Sequence, residues 1–202
     1  MTAVAAIVSL VTAVTTAASV TFLSTWKSPG AGPLNFAGRK VAALVIVDDL
    51  SLQMSAEEAL AREITSRGPT GVPAYRMIPR EELIDRDRAK TWFEKANIQG
   101  LVILRLVATD TQKVYSAVVW SSGYYANAWD YYGNGWATPY PIGKGRNQRT
   151  ITVETMLYDL ATGNPIWAGV SRTTDPKDAA SFMKELAREV VKNLEKEGLA
   201  RK

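Results

Sequence analysis

The chain has 202 residues, enough for one ordinary domain plus a leader, and its formal net charge of +4 comes from charges of both signs interspersed along it. No Lys/Arg run marks a nucleic-acid stripe, so the mild basicity reads as a solvated mixed surface. There is no Cys and no His, which excludes thiol nucleophiles, disulfides, Cys/His zinc sites, haem-ligating histidine and Ser-His-Asp triads.

Met1 to Trp26 carry no charge, and Lys27 is the first charged side chain. The stretch over residues 1–23 is rich in Ala, Val and Thr and long enough to span a bilayer as an apolar N-terminal helix. Small residues gather at Thr16-Ala17-Ala18-Ser19, as at a signal-peptidase site, although the basic segment that usually opens a signal is missing. A cleaved export signal or a retained membrane anchor is expected here. Residues 24–39 read as a linker, because Ser28 to Gly38 (SPGAGPLNFAG) is Pro/Gly-rich.

A single domain is expected over residues 40–202. Lys40 to Val47 (KVAALVIV) is a continuous apolar run that ends in Asp48-Asp49 and reads as a buried strand. Ser55 with Glu58 reads as a capping box that opens a helix to about Arg67, with Leu60 and Ile64 inward and Gly68 as its stop. Ala74 to Ile78 reads as a short strand. A helix over Asp87 to Ala96 places Ala89, Trp92, Phe93 and Ala96 on one packing face. Leu101 to Val107 reads as a second buried strand and Val114 to Trp120 as an alternating one.

Thr150 to Leu160 and Ile166 to Thr173 form a hairpin around Ala161-Thr162-Gly163-Asn164, with Trp167 as a packing residue. The last helix starts at Asp175-Pro176, carries Ala179, Phe182, Leu186, Val190 and Leu194 as its apolar stripe, and ends at Gly198. The expected order after the leader is β-α-β-α-β-β-β-β-α. That is an α/β (α+β) fold: a mixed sheet with helices packed on it, parallel in its first half and antiparallel in its hairpin half.

Between residues 121 and 149 lies a Tyr/Trp/Gly-rich insert, read as an extended loop. Tyr124, Tyr125, Trp129, Tyr131, Tyr132, Trp136 and Tyr140 are its rings, and Lys144 and Arg146 follow them. These nine residues are the candidate binding set. The rings suit stacking on sugar faces, with Asn127, Asp130 and Asn134 supplying hydrogen bonds. They equally suit a membrane interface, or an arm that packs on its own domain or on a partner subunit. Lys144, Arg146 and Arg149 could meet an anionic headgroup or wall polymer. Gly143-Lys144-Gly145-Arg146 is not a phosphate loop, because a strand rather than a helix follows and Arg stands where Ser or Thr is needed. Asp48-Asp49 reads as a strand end orienting a turn rather than as a cation site, since adjacent strand residues point opposite ways. Glu57 and Glu58 read as cap chemistry, and no isolated carboxylate pair argues acid–base work. No catalytic residue, metal or cofactor is expected.

STWKSP (Ser24 to Pro29), KVAALVIV, GLVILRLV, the aromatic insert and VETMLYDLATGNPIWAG (Val153 to Gly169), in that order, resemble a group of bacterial lipoproteins of unknown function. Their globular part is similar to the periplasmic α/β fold of the TolB N-terminal domain and of curli-secretion-channel-type lipoproteins. The resemblance spans roughly Ser24 to Leu199 and rests on phrases without catalytic meaning. It implies export, an N-terminal lipid on Cys and residence at a membrane facing the periplasm. This chain departs from the pattern at the acylated position, where Ser19 stands and cannot form a thioether. The function expected is an exported cell-envelope binding or assembly component without catalytic activity. Its partner would be an envelope protein, a second copy, wall glycan or the membrane surface. The alternative is a carboxylate-dependent enzyme acting on envelope glycans.

Overall fold

The computed structural model describes residues 19–107, 120, 123–137, 150–174 and 178–200. Six strands form one mixed sheet: β1 (Val20–Lys27), β2 (Lys40–Ile46), β3 (Thr70–Pro73), β4 (Gly100–Val107), β5 (Thr150–Asp159) and β6 (Pro165–Thr174), in the order β1-β6-β5-β4-β2-β3. β2 runs parallel to β3 and β4, whereas β4, β5, β6 and β1 are joined antiparallel. Both halves of the mixed sheet are therefore as the sequence predicts.

Helices cover both faces. On one lie α1 (Leu50–Thr65) and the last helix, α6 (Ala179–Lys196). On the other lie three shorter helices, α2 (Ala74–Met77), α3 (Arg80–Leu83) and α4 (Arg86–Lys95), together with α5 (Ala128–Ala137). β2 shows why its sequence is apolar throughout. Ala42, Leu44 and Ile46 join the core under α4 and α5, while Ala43, Val45 and Val47 join the core under α1 and α6.

Several elements differ from the sequence reading. Residues 20–27, expected to straddle a leader and a linker, form the edge strand β1, paired with β6 from Val20↔Thr173 to Lys27↔Trp167. The rest of the expected linker packs on the domain, where Leu34 N–H donates to Leu199 O at 2.7 Å and Leu34 and Phe36 lie against Trp167 and Leu194. Pro and Gly forbid a regular ladder there, but they do not stop apolar side chains from burying. α1 begins at Leu50, because Asp49 Oδ1 accepts from Leu52 N at 2.9 Å and caps the helix before Ser55 is reached. Ser55 Oγ donates back to Ser51 O instead.

Where a strand was expected from Ala74, Pro73 ends β3 and one turn of helix follows, since proline cannot extend the ladder. α4 matches its prediction closely and is capped by Asp85, which accepts from Asp87 N and Arg88 N at 3.0 Å each. The hairpin turns at Gly163 with φ +72°, as read. The start of α6 is capped by Asp178, which accepts from Ser181 N at 2.8 Å. The expected apolar N-terminal helix, the strand over 114–120 apart from its last residue, and the cap at Asp175-Pro176 lie outside the described residues; Trp120 itself is helical and buried in the core rather than in a strand. Among the described residues no helix is long and apolar enough to cross a membrane.

Candidate functional site

Over its described part, residues 123–137, the aromatic insert is a 3₁₀ turn and a helix packed on the core rather than an extended loop. Ala128, Tyr131, Tyr132 and Gly135 recur at helical spacing and are buried on the inward face of α5. The helix starts where Ala128 N–H donates to Gly163 O at 2.9 Å and Asn127 Oδ1 accepts from Trp129 N at 2.8 Å. It lies close on the sheet, since a Cβ on Gly135 would come within 2.5 Å of Ile46 Cδ1. Tyr125 is buried in the single 3₁₀ turn Gly123–Tyr125, against Trp120 and Tyr131.

Tyr125, Tyr131 and Tyr132 therefore cannot present a face to a ligand. They fill the space over β4 and β5. Trp129 and Trp136 are half-buried, with Lys90 Nζ 5.9 Å over the Trp129 ring and Arg80 Cζ 5.1 Å over Trp136. Tyr124 lies in the 3₁₀ turn, and Tyr140, Lys144 and Arg146 lie outside the described residues. Gly and Asn made the insert read as a loop, although the spacing of residues 128, 131, 132 and 135 already carried the helical signal.

Under this block sits a carboxylate that the sequence reading missed. Glu154 is fully buried on β5. Its Oε1 accepts from the Tyr125 hydroxyl at 3.0 Å, and its Oε2 accepts from the Tyr131 hydroxyl at 3.0 Å and from an Arg105 guanidinium nitrogen at 3.2 Å. Burial, reinforced by the charge of Glu154, holds the Tyr131 hydroxyl well above the usual tyrosine range, so it stays a donor. Alternation along β5 gave the clue. Thr152, Glu154, Met156 and Tyr158 share one face, and Met156 and Tyr158 are core.

A second buried carboxylate, Glu57, serves the sheet. β3 stops opposite Ala43, which leaves the Val45 N–H without a β3 partner. Glu57 Oε1 accepts from it at 3.1 Å and from Gln53 Nε2 at 2.9 Å, while Oε2 accepts from Tyr75 N at 2.8 Å. Burial pushes its pKa up to about 7 against the pull of these donors and of nearby Arg80. Its position three before Leu60 and seven before Ile64 puts it on the inward face of α1. Glu57 is thus not a cap, and the cap reading of Glu58 also fails, since Glu58 takes the Tyr75 hydroxyl at 2.6 Å and pairs with Arg76. Asp49 caps α1, a role the sequence reading gave to Ser55, and among the described residues no cluster of three acidic groups could hold a metal.

The opposite face of the sheet carries a cleft. α1 and α6 meet around Ala56, Leu60, Phe182 and Leu186. Toward their C-terminal ends a space of about 730 Å³ lies between them, the sheet and the 33–37 segment. Its walls are apolar: Leu60 and Ile64 from α1, Leu186, Val190 and Leu194 from α6, and Leu34 and Phe36 from the segment. Its floor includes Val102, Leu104, Thr155, Leu157 and Trp167. Glu63, Arg67 and Glu195 are the charged groups among its lining residues.

Fold and site together define a three-layer α/β domain with a mixed sheet, a buried Glu154–tyrosine–Arg105 network on one face and an apolar cleft on the other. No family model matches the sequence, and no curated protein matches it. Among solved structures the chain is similar to a PelC dodecamer from Paraburkholderia phytofirmans (15% identity, 92% of this chain and 99% of that chain, TM-score 0.48). A point variant of that dodecamer gives 14% identity, 86% and 95% coverage and TM-score 0.48. Lipoprotein GNA1162 from Neisseria meningitidis gives 12% identity, 79% and 96% coverage and TM-score 0.40. At these scores the likenesses place no residue and define no family.

Proposed function

We propose that this protein is an exported bacterial cell-envelope component that works by binding or assembly rather than by catalysis. One observation carries the reading. The sheet begins at Val20, immediately after the small residues Thr16-Ala17-Ala18-Ser19 of the uncharged stretch. An export signal cleaved there would release a chain that starts at its first strand. A retained anchor would hold edge strand β1 at the membrane without a spacer.

Among the described residues β1 ends the sheet order, and its outer backbone edge can meet an envelope partner or a second copy. Trp129 and Trp136 keep partly open faces beside Lys90 and Arg80, and there a partner would touch the aromatic insert. The test is expression of the full chain with a C-terminal tag in a bacterium, followed by fractionation and intact-mass measurement. Recovery in the envelope fraction is expected, either with mass lost up to residue 18 or 19 or with the N-terminus retained in the membrane. A full-length chain in the cytosol would overturn the reading.

A further inference from the structure

We propose that Glu57, Gln53 and Arg80 form a proton-driven switch: a proton taken up on the buried Glu57 carboxyl turns over the Gln53 amide and frees Arg80 from its place over Trp136. The parts are in contact. Gln53 and Glu57 are one turn apart on α1, and both are fully buried. Glu57 Oε1 accepts from Gln53 Nε2 at 2.9 Å, and the Gln53 Oε1 accepts from an Arg80 guanidinium nitrogen. Arg80 Cζ stands 5.1 Å over the ring of half-buried Trp136. Among the described residues Arg80 has no ion pair, so the amide oxygen is what holds it on α1.

The switch follows from what surrounds the carboxylate. Its three hydrogen-bonding neighbours, Gln53 Nε2, the Val45 N–H and the Tyr75 N–H, are all donors. That set suits an ionised carboxylate, which only accepts. A protonated carboxyl must also donate, and a buried donor left without an acceptor is costly. The two backbone N–H groups cannot become acceptors. The Gln53 amide can, because half a turn about its last torsion brings Oε1 to Glu57. The same turn presents Nε2 to Arg80, and two donors then face each other. Arg80 loses its acceptor, and it loses the attraction of the Glu57 charge with it. The readout is at the surface, on the Trp136 ring.

The other charged and titratable groups around the site are engaged elsewhere or stay neutral. β2 meets Glu57 through the Val45 N–H, and β3 carries no charged residue. α6 meets α1 through apolar side chains at Ala56 and Leu60. From α2, the Tyr75 hydroxyl and Arg76 are both taken by Glu58, next in the chain. From α3, Glu82 accepts from Trp92 Nε1. From α5, burial holds the Tyr132 hydroxyl far above the usual tyrosine range, so it remains neutral. Burial lifts Glu57 itself to about 7 against its donors and Arg80. Arg80 is therefore held above that pH and freed below it. The device does not depend on where the protein resides, so its failure would leave the envelope reading intact.

The test is an NMR titration of the purified full chain between pH 5 and pH 8.5, read at the Glu57 carboxyl carbon, the Gln53 side-chain amide and the Arg80 guanidinium. All three should move together with one midpoint at about 7. Arg80→Met should raise that midpoint, because a group that the proton releases must, once removed, let the proton bind more tightly. Gln53→Met keeps the volume and removes the amide, so Glu57 should still titrate and Arg80 should no longer respond. Four results would each overturn the proposal: a carboxyl still ionised at pH 5, an amide or guanidinium that stays put across the Glu57 titration, a midpoint in Arg80→Met that is unchanged or lower, or an Arg80 response that survives Gln53→Met. The wild type and Arg80→Met decide the matter by themselves if Gln53→Met fails to fold.

Discussion

Tyr131 and Glu154 are 23 residues apart in sequence and 3.0 Å apart in space, with the hydroxyl on α5 donating to a carboxylate on β5 that is fully buried. This contact ties the aromatic helix to the sheet. Its strength comes from surroundings in which neither group can reach water. The Arg105 side chain, 14% exposed, supplies the compensating charge. Glu154→Ala removes a buried charge from its ion pair with Arg105 and the acceptor of both tyrosine hydroxyls, so it should cost about 3–5 kcal/mol in urea melts. Tyr131→Phe leaves Glu154 its bonds from Tyr125 and Arg105 and should cost about 1–3 kcal/mol. Equal and negligible losses for both would show that the network does not hold the helix.

Glu57 should make stability fall with rising pH. Its folded-state pKa of about 7 lies above the ordinary 4.5, so the native state holds the proton more firmly than the unfolded state. That contribution is fully present below about pH 4.5 and is lost as pH rises through 7. It amounts to roughly 3 kcal/mol across the interval. No histidine titrates nearby, because the chain has none. Denaturant melts at pH 5 and pH 7.5 should show the decline in the wild type and a flatter profile in Glu57→Gln. A wild type equally stable at both pH values would contradict the assignment.

The half-buried tryptophans support the core. Trp129 stacks 5.9 Å from Phe93 and 6.1 Å from Tyr132, and Trp136 lies 6.4 Å from Tyr132. The double change Trp129→Ala with Trp136→Ala should lower stability by at least about 3 kcal/mol, comparably to Trp92→Ala. A loop role would leave the melting temperature unchanged.

Gly71 is required by close approach rather than by backbone conformation. A Cβ there would stand 2.1 Å from the Ala61 carbonyl oxygen, a backbone atom of α1 that cannot swing aside. Gly71→Ala should force β3 and α1 apart and cost upward of about 3 kcal/mol. Retention of wild-type stability on thermal denaturation would mean that β3 shifts freely.

Much of the sheet was legible. KVAALVIV and GLVILRLV lack polar alternation because β2 and β4 are covered on both faces. The Gly163 turn and the stripe Phe182, Leu186, Val190, Leu194 announced the hairpin and α6. Boundaries slipped where one local signal outcompeted another. Asp49 capped α1 before Ser55 could, and Pro73 cut β3 short.

The sequence alone determined the alternation and periodicity that build the elements, and the absence of Cys and His that limits their chemistry. These are local properties, carried by neighbours within a turn or a pleat. The tertiary structure decided that Glu154 and Glu57 face inward, that the tyrosines bury over Glu154, and that α1 and α6 part over the sheet. Those outcomes depend on contacts between residues from tens to more than a hundred positions apart. No window of sequence encodes them, because burial and hydrogen-bond satisfaction belong to the packed whole.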